Sequence, residues 1–267
     1  MHPEAFRIGS YFQSTYGVMV TLGFLAGLWM AARLGRKAGL DADVVLNLGI
    51  YVALAALMGA KLLMVVSDLG YYFRYPGDLL SLSTFRAGGI FFGGLIGALL
   101  TAFFYLRHKG LPGLMVADTF APGLALGHAI GRTGCFLAGC CWGQPCDLPW
   151  AVTFTNPLAH EMFGTPLYVP VHPAQLYEVL AVAGIFALLY YRFHRPHRPG
   201  SLIGLYLALY AVVRFLLEFV RAHDESNPWL GPLVFQQWVA LGLAAVGAWL
   251  LWPKGRPAMA VPAGKGD

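Results

Sequence analysis

Residues 44–66 read VVLNLGIYVALAALMGAKLLMVV, an unbroken apolar stretch with a single charged side chain, Lys61. An α-helix needs about 20 mainly apolar residues to cross the hydrocarbon core of a bilayer. Six further stretches of the same kind flank this one, over 15–33, 90–106, 114–130, 174–192, 201–220 and 233–252. The fourth, 114–130, holds Asp118, Pro122 and His128, and is credible as a span only if other helices bury it. Composition points the same way. Of 267 residues 58% are hydrophobic and 12% charged, with a mean hydropathy of +0.61, whereas a soluble domain carries about 25% charged residues. So little charge cannot cover a water-facing surface, which excludes a soluble enzyme and an extended disordered chain. The reading is an all-α polytopic membrane protein of about seven transmembrane helices, one integral-membrane domain over 1–253. The remainder, 254–267, rich in Pro and Gly, is expected to be a disordered tail. No signal-peptide cleavage pattern precedes the first stretch, so the N-terminus is expected to be retained.

The net charge of +5 with a pI near 9.1 does not indicate nucleic acid, because basic residues in a membrane chain mark cytoplasmic loops. Arg33, Arg36 and Lys37 follow the first span, and Arg107 and Lys109 the third. Arg192, Arg195 and Arg198 follow the fifth, and Lys254, Arg256 and Lys265 the seventh. These are 11 of the 18 lysines and arginines, all in alternate connections. The expected topology is therefore N-terminus out and C-terminus cytoplasmic. The longest loop, about 131–173, then faces outward as a small cap, and the aromatic connection 67–88 lies on the same side.

Seven basic residues remain: Arg7, Lys61, Arg74, Arg86, Arg132, Arg214 and Arg221. Arg7, Arg74 and Arg86 fall in outer segments, where a solvated charge is unremarkable. Lys61, Arg132, Arg214, Arg221 and the acidic Glu218 fall within or at the ends of apolar spans, where an ionisable group is costly and normally pairs or faces a polar cavity. Glu218 stands four residues after Arg214 and three before Arg221, which on a helix puts all three on one face. They form either a self-neutralising ion cluster or a cluster with one guanidinium left for an anion. Arg132 has no acidic residue within ten positions on either side. It is either a snorkelling helix-end arginine or a phosphate ligand, a role for which the guanidinium fork is well suited.

Two residue clusters complete the inventory. Gly93 and Gly97, within GGIFFGGLIG at 88–97, form a small-xxx-small pair that allows close helix approach or lines an opening. Cys135, Cys140, Cys141 and Cys146 are the only cysteines, all in one short segment. Their spacing matches no usual zinc-ribbon or zinc-finger pattern. Facing an oxidising compartment they would form two disulfides; metal binding and a reactive or redox thiol favoured by Arg132 are the alternatives.

Several segments together resemble one known family. Gly131-Arg132-Thr133-Gly134-Cys135-Phe136 followed by Trp142-Gly143 is similar to the signature of bacterial prolipoprotein diacylglyceryl transferases. Tyr16-Gly17, Gly93-Gly94-Leu95-Ile96-Gly97, Asp118 to Pro122, His172-Pro173-Ala174-Gln175-Leu176-Tyr177-Glu178, the Tyr210, Arg214, Glu218, Arg221 run and Gln237 resemble family segments in the expected order, over about 10–252. The resemblance implies a multi-pass protein of the bacterial cytoplasmic (inner) membrane with its site towards the outer face. It implies transfer of the diacylglyceryl unit of phosphatidylglycerol to the lipobox cysteine thiol of a prolipoprotein, with glycerol phosphate leaving. By the same resemblance Arg132, Arg214 and Tyr210 are catalytic. Tyr16, Gly143, Gln175 and Glu218 join Arg132 and Arg214 in binding substrate. The implied chemistry needs no metal and no organic cofactor, and nucleic acid has no part in it.

The sequence also departs from the family pattern. Where the family has a histidine just before the second glycine pair, this chain has Phe92, which cannot accept a proton from the incoming thiol. Cys135 replaces the usual Asn of the signature, and Ala138-Gly139-Cys140 replaces its Asn-Gly-Glu. His128, one helical turn before Arg132, is a possible substitute base or a packing residue. Beside diacylglyceryl transfer two alternatives stand: transfer to another acceptor or thiol–disulfide chemistry at Cys135–Cys146, and phospholipid binding without catalysis.

Overall fold

The structure is a computed structural model that describes residues 2–8, 11–81, 84, 89–222 and 233–253. Arg86, Gly88 and the expected tail at 254–267, with Lys254, Arg256 and Lys265, lie outside the described residues. The fold is mostly helical. A short hairpin, β1 (Glu4–Ile8) with β2 (Tyr11–Ser14), leads into α1 (Thr15–Lys37), whose N-terminus is capped by the Ser14 hydroxyl accepting from Gly17 N–H. Then come α2 (Ala42–Ser67), α3 (Leu69–Arg74), a 3₁₀ turn (Pro76–Leu80), α4 (Phe91–His108) and α5 (Gly113–Ala138). A compact excursion holds β3 (Val152–Thr153), α6 (Pro157–Phe163) and β4 (Pro170–Val171), with β3 and β4 paired antiparallel. The chain closes with α7 (Ala174–Phe193), α8 (Ser201–Leu217) and α9 (Phe235–Leu251).

Helices α1, α2, α4, α5 and α7 are long and apolar enough to cross a membrane, while α8 and α9 are shorter apolar helices of 17 residues each. The fourth apolar stretch continues further than its composition suggested. α5 runs unbroken to Ala138, a length of about 39 Å at 1.5 Å per residue, so Arg132 and Cys135 belong to its last turns and not to the loop that follows.

The chain divides into two compact units, Leu40–Val116 and the remainder, Met1–Gly39 with Ala117–Asp267. In the first unit α2 packs on α4 through Gly59, Gly93 and Gly97: the place a Cβ would take at each is occupied by a backbone carbonyl of the facing helix. The glycine pair at 93 and 97 thus serves close packing. Lys61 donates to the Thr84 carbonyl at 2.8 Å, and Phe92 stands in the first turn of α4 against the ring of Phe91.

In the second unit the core is built by α1, α5, α7 and α8, with Met30, Leu34, Ala121, Ala125, Val182, Leu189, Phe193 and Leu202 at its centre. α1 meets α5 along a second glycine track. A Cβ on Gly27 would sit 2.6 Å from the Gly123 carbonyl, and one on Gly23 equally close to that of Gly127. Asp118, buried in α5, supplies what α8 lacks at its own start. Its carboxylate accepts from Gly200 N–H (2.7 Å), Leu202 N–H (3.0 Å) and Ile203 N–H (2.9 Å), while α8 has no side-chain cap from its own sequence. An anion at a helix N-terminus satisfies orphan donors and complements the macrodipole. This is how α5 accommodates an acidic residue within an apolar helix.

Candidate functional site

The site is assembled from three helix ends of the second unit. His128, Arg132 and Cys135 lie four and three residues apart along the end of α5, so they share a face. Gln175 and Glu178 come from the start of α7. Tyr206, Tyr210 and Arg214 repeat every fourth residue along α8, with Glu218 capping its C-terminus.

Glu178, buried with 1% of its surface exposed, is the hub. One carboxylate oxygen accepts from Arg132 Nε at 3.0 Å; the other accepts from Tyr210 O–H at 3.0 Å and lies 3.2 Å from His128 Nε2. The second ring nitrogen of His128 is 3.3 Å from the Tyr206 hydroxyl, and the ring stands edge-on to Tyr210. Glu178 and Tyr206 thus stand at the two ring nitrogens of His128. Arg132 therefore has an acidic partner far away in sequence. Because Glu178 occupies Nε, the Nη side of the fork points on towards the thiols, with Nη1 4.0 Å from Cys135 Sγ.

Glu218 forms the second hub. It pairs with Arg214 Nη1 and lies 3.9 Å from Arg221 Nε, so the three residues that the i, i+4 and i, i+3 spacings put on one face are in contact. Across the two hubs three guanidiniums face two carboxylates, a surplus of positive charge.

The loop after α5 folds back on itself through left-handed residues at Gly139 (φ 87°) and Cys141 (φ 63°). A non-glycine residue there costs on the order of 1 kcal/mol and persists only where its surroundings hold it. Here they do. Thr165 Oγ donates to the Gly139 carbonyl, Gln175 Nε2 donates to the Cys140 carbonyl at 2.7 Å, and Cys140 N–H donates to the Cys135 carbonyl at 3.1 Å. Gln175 thus orders the thiol loop, while its buried Oε1 has no hydrogen-bond partner among the described residues, which a bound donor would supply.

All four cysteines are free thiols. The sulfurs of Cys135, Cys140 and Cys141 lie within 4.8 Å of one another, and Cys146 is not in that group. Hydrogen bonds from Cys135 and Cys140, helped by nearby Arg221 and Arg132, draw the Cys141 thiol below the usual thiol range. Hydrogen bonding to Cys135 and Cys141, with burial, pushes the Cys140 thiol up.

Gly143 donates its N–H to the His172 carbonyl and forms an antiparallel bridge with Arg221. A Cβ at this glycine would meet the His172 Cβ at 2.5 Å and the Val220 carbonyl at 2.6 Å. Its role is to let the loop pass between those two backbones. Tyr16, in the first turn of α1, lies over Gly134, with its Cα 3.6 Å from where a Cβ on that glycine would be. Phe92 belongs to the other unit. Sequence reasoning did not assign Glu178, Tyr206 or Asp118 a role of its own. The signal that was available is that an apolar span seldom keeps an acidic residue without a partner.

The fold and this site define a multi-helix membrane protein with a cationic, thiol-lined polar site where helix ends meet. The chain belongs to the prolipoprotein diacylglyceryl transferase family, whose model matches residues 3–253. It is 31% identical over 249 residues to the phosphatidylglycerol–prolipoprotein diacylglyceryl transferase of Clostridium tetani, covering 92% of this chain and 95% of that one. It is 35% identical over 224 residues to the protein of that name in Dehalococcoides mccartyi, covering 84% and 83%. With that of Nitratidesulfovibrio vulgaris it shares 34% over 259 residues, covering 95% and 94%.

Proposed function

We propose that this protein transfers the diacylglyceryl group of phosphatidylglycerol to the lipobox cysteine thiol of prolipoproteins, at the outer face of the bacterial inner membrane. In this reading residues 1–253 form one membrane domain of seven spans, with the N-terminus out and the C-terminus cytoplasmic. The names of the relatives support the reaction. The observation that carries it is the surplus of guanidinium over carboxylate at a buried polar site: Arg132, Arg214 and Arg221 against Glu178 and Glu218.

The acceptor sulfur attacks the glyceryl carbon that bears the phosphate. The carbon–oxygen bond breaks, and its electron pair leaves with glycerol phosphate. Negative charge builds on the departing oxygen, where fixed donors lower the barrier most. Arg132, oriented through Nε by Glu178, presents its Nη side to that charge, and Arg214 supplies the second guanidinium. Tyr210 and His128 hold Glu178 in place, and Tyr16, Gly143 and Gln175 shape the surroundings of the lipid and the loop.

The test is purified protein with phosphatidylglycerol and a lipobox peptide, read as thioether product. Arg132→Ala and Arg214→Ala are expected to abolish product while the protein remains folded. Full activity in Arg132→Ala would overturn the phosphate role. Bound phosphatidylglycerol without thioether in the parent protein would make it a lipid-binding member of the family.

A further inference from the structure

The phosphate chemistry does not use the three clustered thiols, yet the chain invests in them. Two left-handed residues turn the loop, three hydrogen bonds from and to its backbone pin it, and the result returns Cys140 and Cys141 to Cys135. Cys135 is buried, whereas Cys140 and Cys141 are half-buried. Among the described residues the donor group consists of these three sulfurs, without a histidine or carboxylate.

We propose that Cys135, Cys140 and Cys141 bind a thiophilic divalent cation of the zinc class as a three-thiolate centre, whose open fourth position takes the acceptor cysteine of the lipobox. Zinc–sulfur bonds of about 2.3 Å in a tetrahedron place sulfurs about 3.8 Å apart. The thiols, within 4.8 Å of one another, need close by no more than about 1 Å, within reach of small side-chain rotations. An all-sulfur set selects borderline and soft cations over magnesium or calcium. Three protein ligands with a vacant position is the arrangement of a catalytic rather than a structural zinc site.

The centre also answers the loss signalled by Phe92. A thiol that coordinates such a cation is deprotonated outright, so the acceptor becomes a nucleophile without a protein base. Resting on the transfer reading above, the steps balance. The acceptor S–H gives its proton to water as sulfur binds the cation. A sulfur lone pair then forms the bond to the glyceryl carbon as the carbon–oxygen bond breaks towards phosphate. The neutral thioether, a weaker ligand than thiolate, leaves the cation. No electron is gained or lost.

The test uses the full chain purified in detergent without chelator. Elemental analysis is expected to find about one zinc per chain, and cobalt added to metal-depleted protein is expected to give the thiolate charge-transfer band of a tetrahedral sulfur site. Cys135→Ser, Cys140→Ser and Cys141→Ser should each weaken binding by at least about tenfold, and Cys146→Ser should not. A lipobox peptide with cysteine, but not its serine analogue, should shift the cobalt spectrum. Absence of stoichiometric metal, or a disulfide joining two of the three cysteines in the purified protein, would overturn the site. Full thioether formation by metal-depleted protein would overturn its role and leave the transfer reading intact. A cobalt shift without any thioether product would do the reverse.

Discussion

Replacing Glu178 by Gln removes one charge and one acceptor from a residue that serves three neighbours. The native carboxylate faces Arg132 Nε at 3.0 Å with one oxygen, and Tyr210 O–H at 3.0 Å and His128 Nε2 at 3.2 Å with the other. An amide has one oxygen. Turned towards Tyr210 and His128, it sets NH2 against the Arg132 N–H; turned the other way, it strands the Tyr210 hydroxyl. Stranding a buried donor costs about 1–3 kcal/mol, and breaking a buried ion pair about 3–5 kcal/mol. The Arg132 side chain keeps 19% of its surface exposed, so water recovers part of that loss and about 2–4 kcal/mol remains. If the loss falls on the transition state, kcat/KM for thioether formation drops by about 30-fold to about 10³-fold. If it falls on the fold, the unfolding temperature in detergent falls instead, and the two measurements together separate the cases. An E178Q protein with kcat/KM within about twofold of the parent and an unfolding temperature within about 1 °C would refute the hub argument.

Substitutions at Asp118, Gly27 and Gly143, with matched controls, probe the frame that holds the site. Asp118→Ala should lower stability by about 2–4 kcal/mol, since three amides at the start of α8 lose their acceptor; Asp118→Asn, which keeps the oxygen shared by Leu202 and Ile203, should cost less than half as much, and equal unfolding temperatures for the two would refute the cap. Gly27→Leu should force α1 off α5 at Gly123, seen as loss of folded protein on size-exclusion chromatography, whereas Gly39→Leu, where a Cβ would meet nothing within 4 Å, costs only its left-handed backbone strain and should leave a folded protein. Gly143→Ala should displace the loop from His172 and Val220, with thioether formation falling further than the unfolding temperature; unchanged activity would show that the loop has slack.

The apolar helices were legible because their signal is local. Each of the seven apolar stretches overlaps one apolar helix, five of them long enough to cross a membrane and two shorter, and the errors lie at the ends, most plainly at α5, where Gly131 and Gly134 gave no hint that the helix continues to Ala138. Contact among Arg214, Glu218 and Arg221 was legible for the same reason, since all three sit within two turns. What the sequence could not show is pairing across the fold. Arg132 has no acidic neighbour in sequence and still meets Glu178, and Asp118 meets the start of α8, because burial in a shared interior brings each charge to polar groups of distant segments. The glycines at 23, 27, 123 and 127 carry the four-residue spacing of close-packed helices. That spacing is so common in spans that only the structure reveals which pair meets which. The thiol cluster was legible as a group of cysteines; its three-plus-one division depends on the left-handed turn at Cys141.

The reach of Asp118 from α5 to the first amides of α8 bears on how the chain enters the bilayer during synthesis. Residues 113–138 leave the ribosome well before Gly200. Until the later segment arrives, α5 carries a bare carboxylate, a burden of about 2.5–3.5 kcal/mol for an inserting helix, and α8 made without α5 would begin on amides that nothing accepts. Neither segment is polar-satisfied alone, so a chain truncated before Gly200 is expected to insert α5 less completely than the full chain.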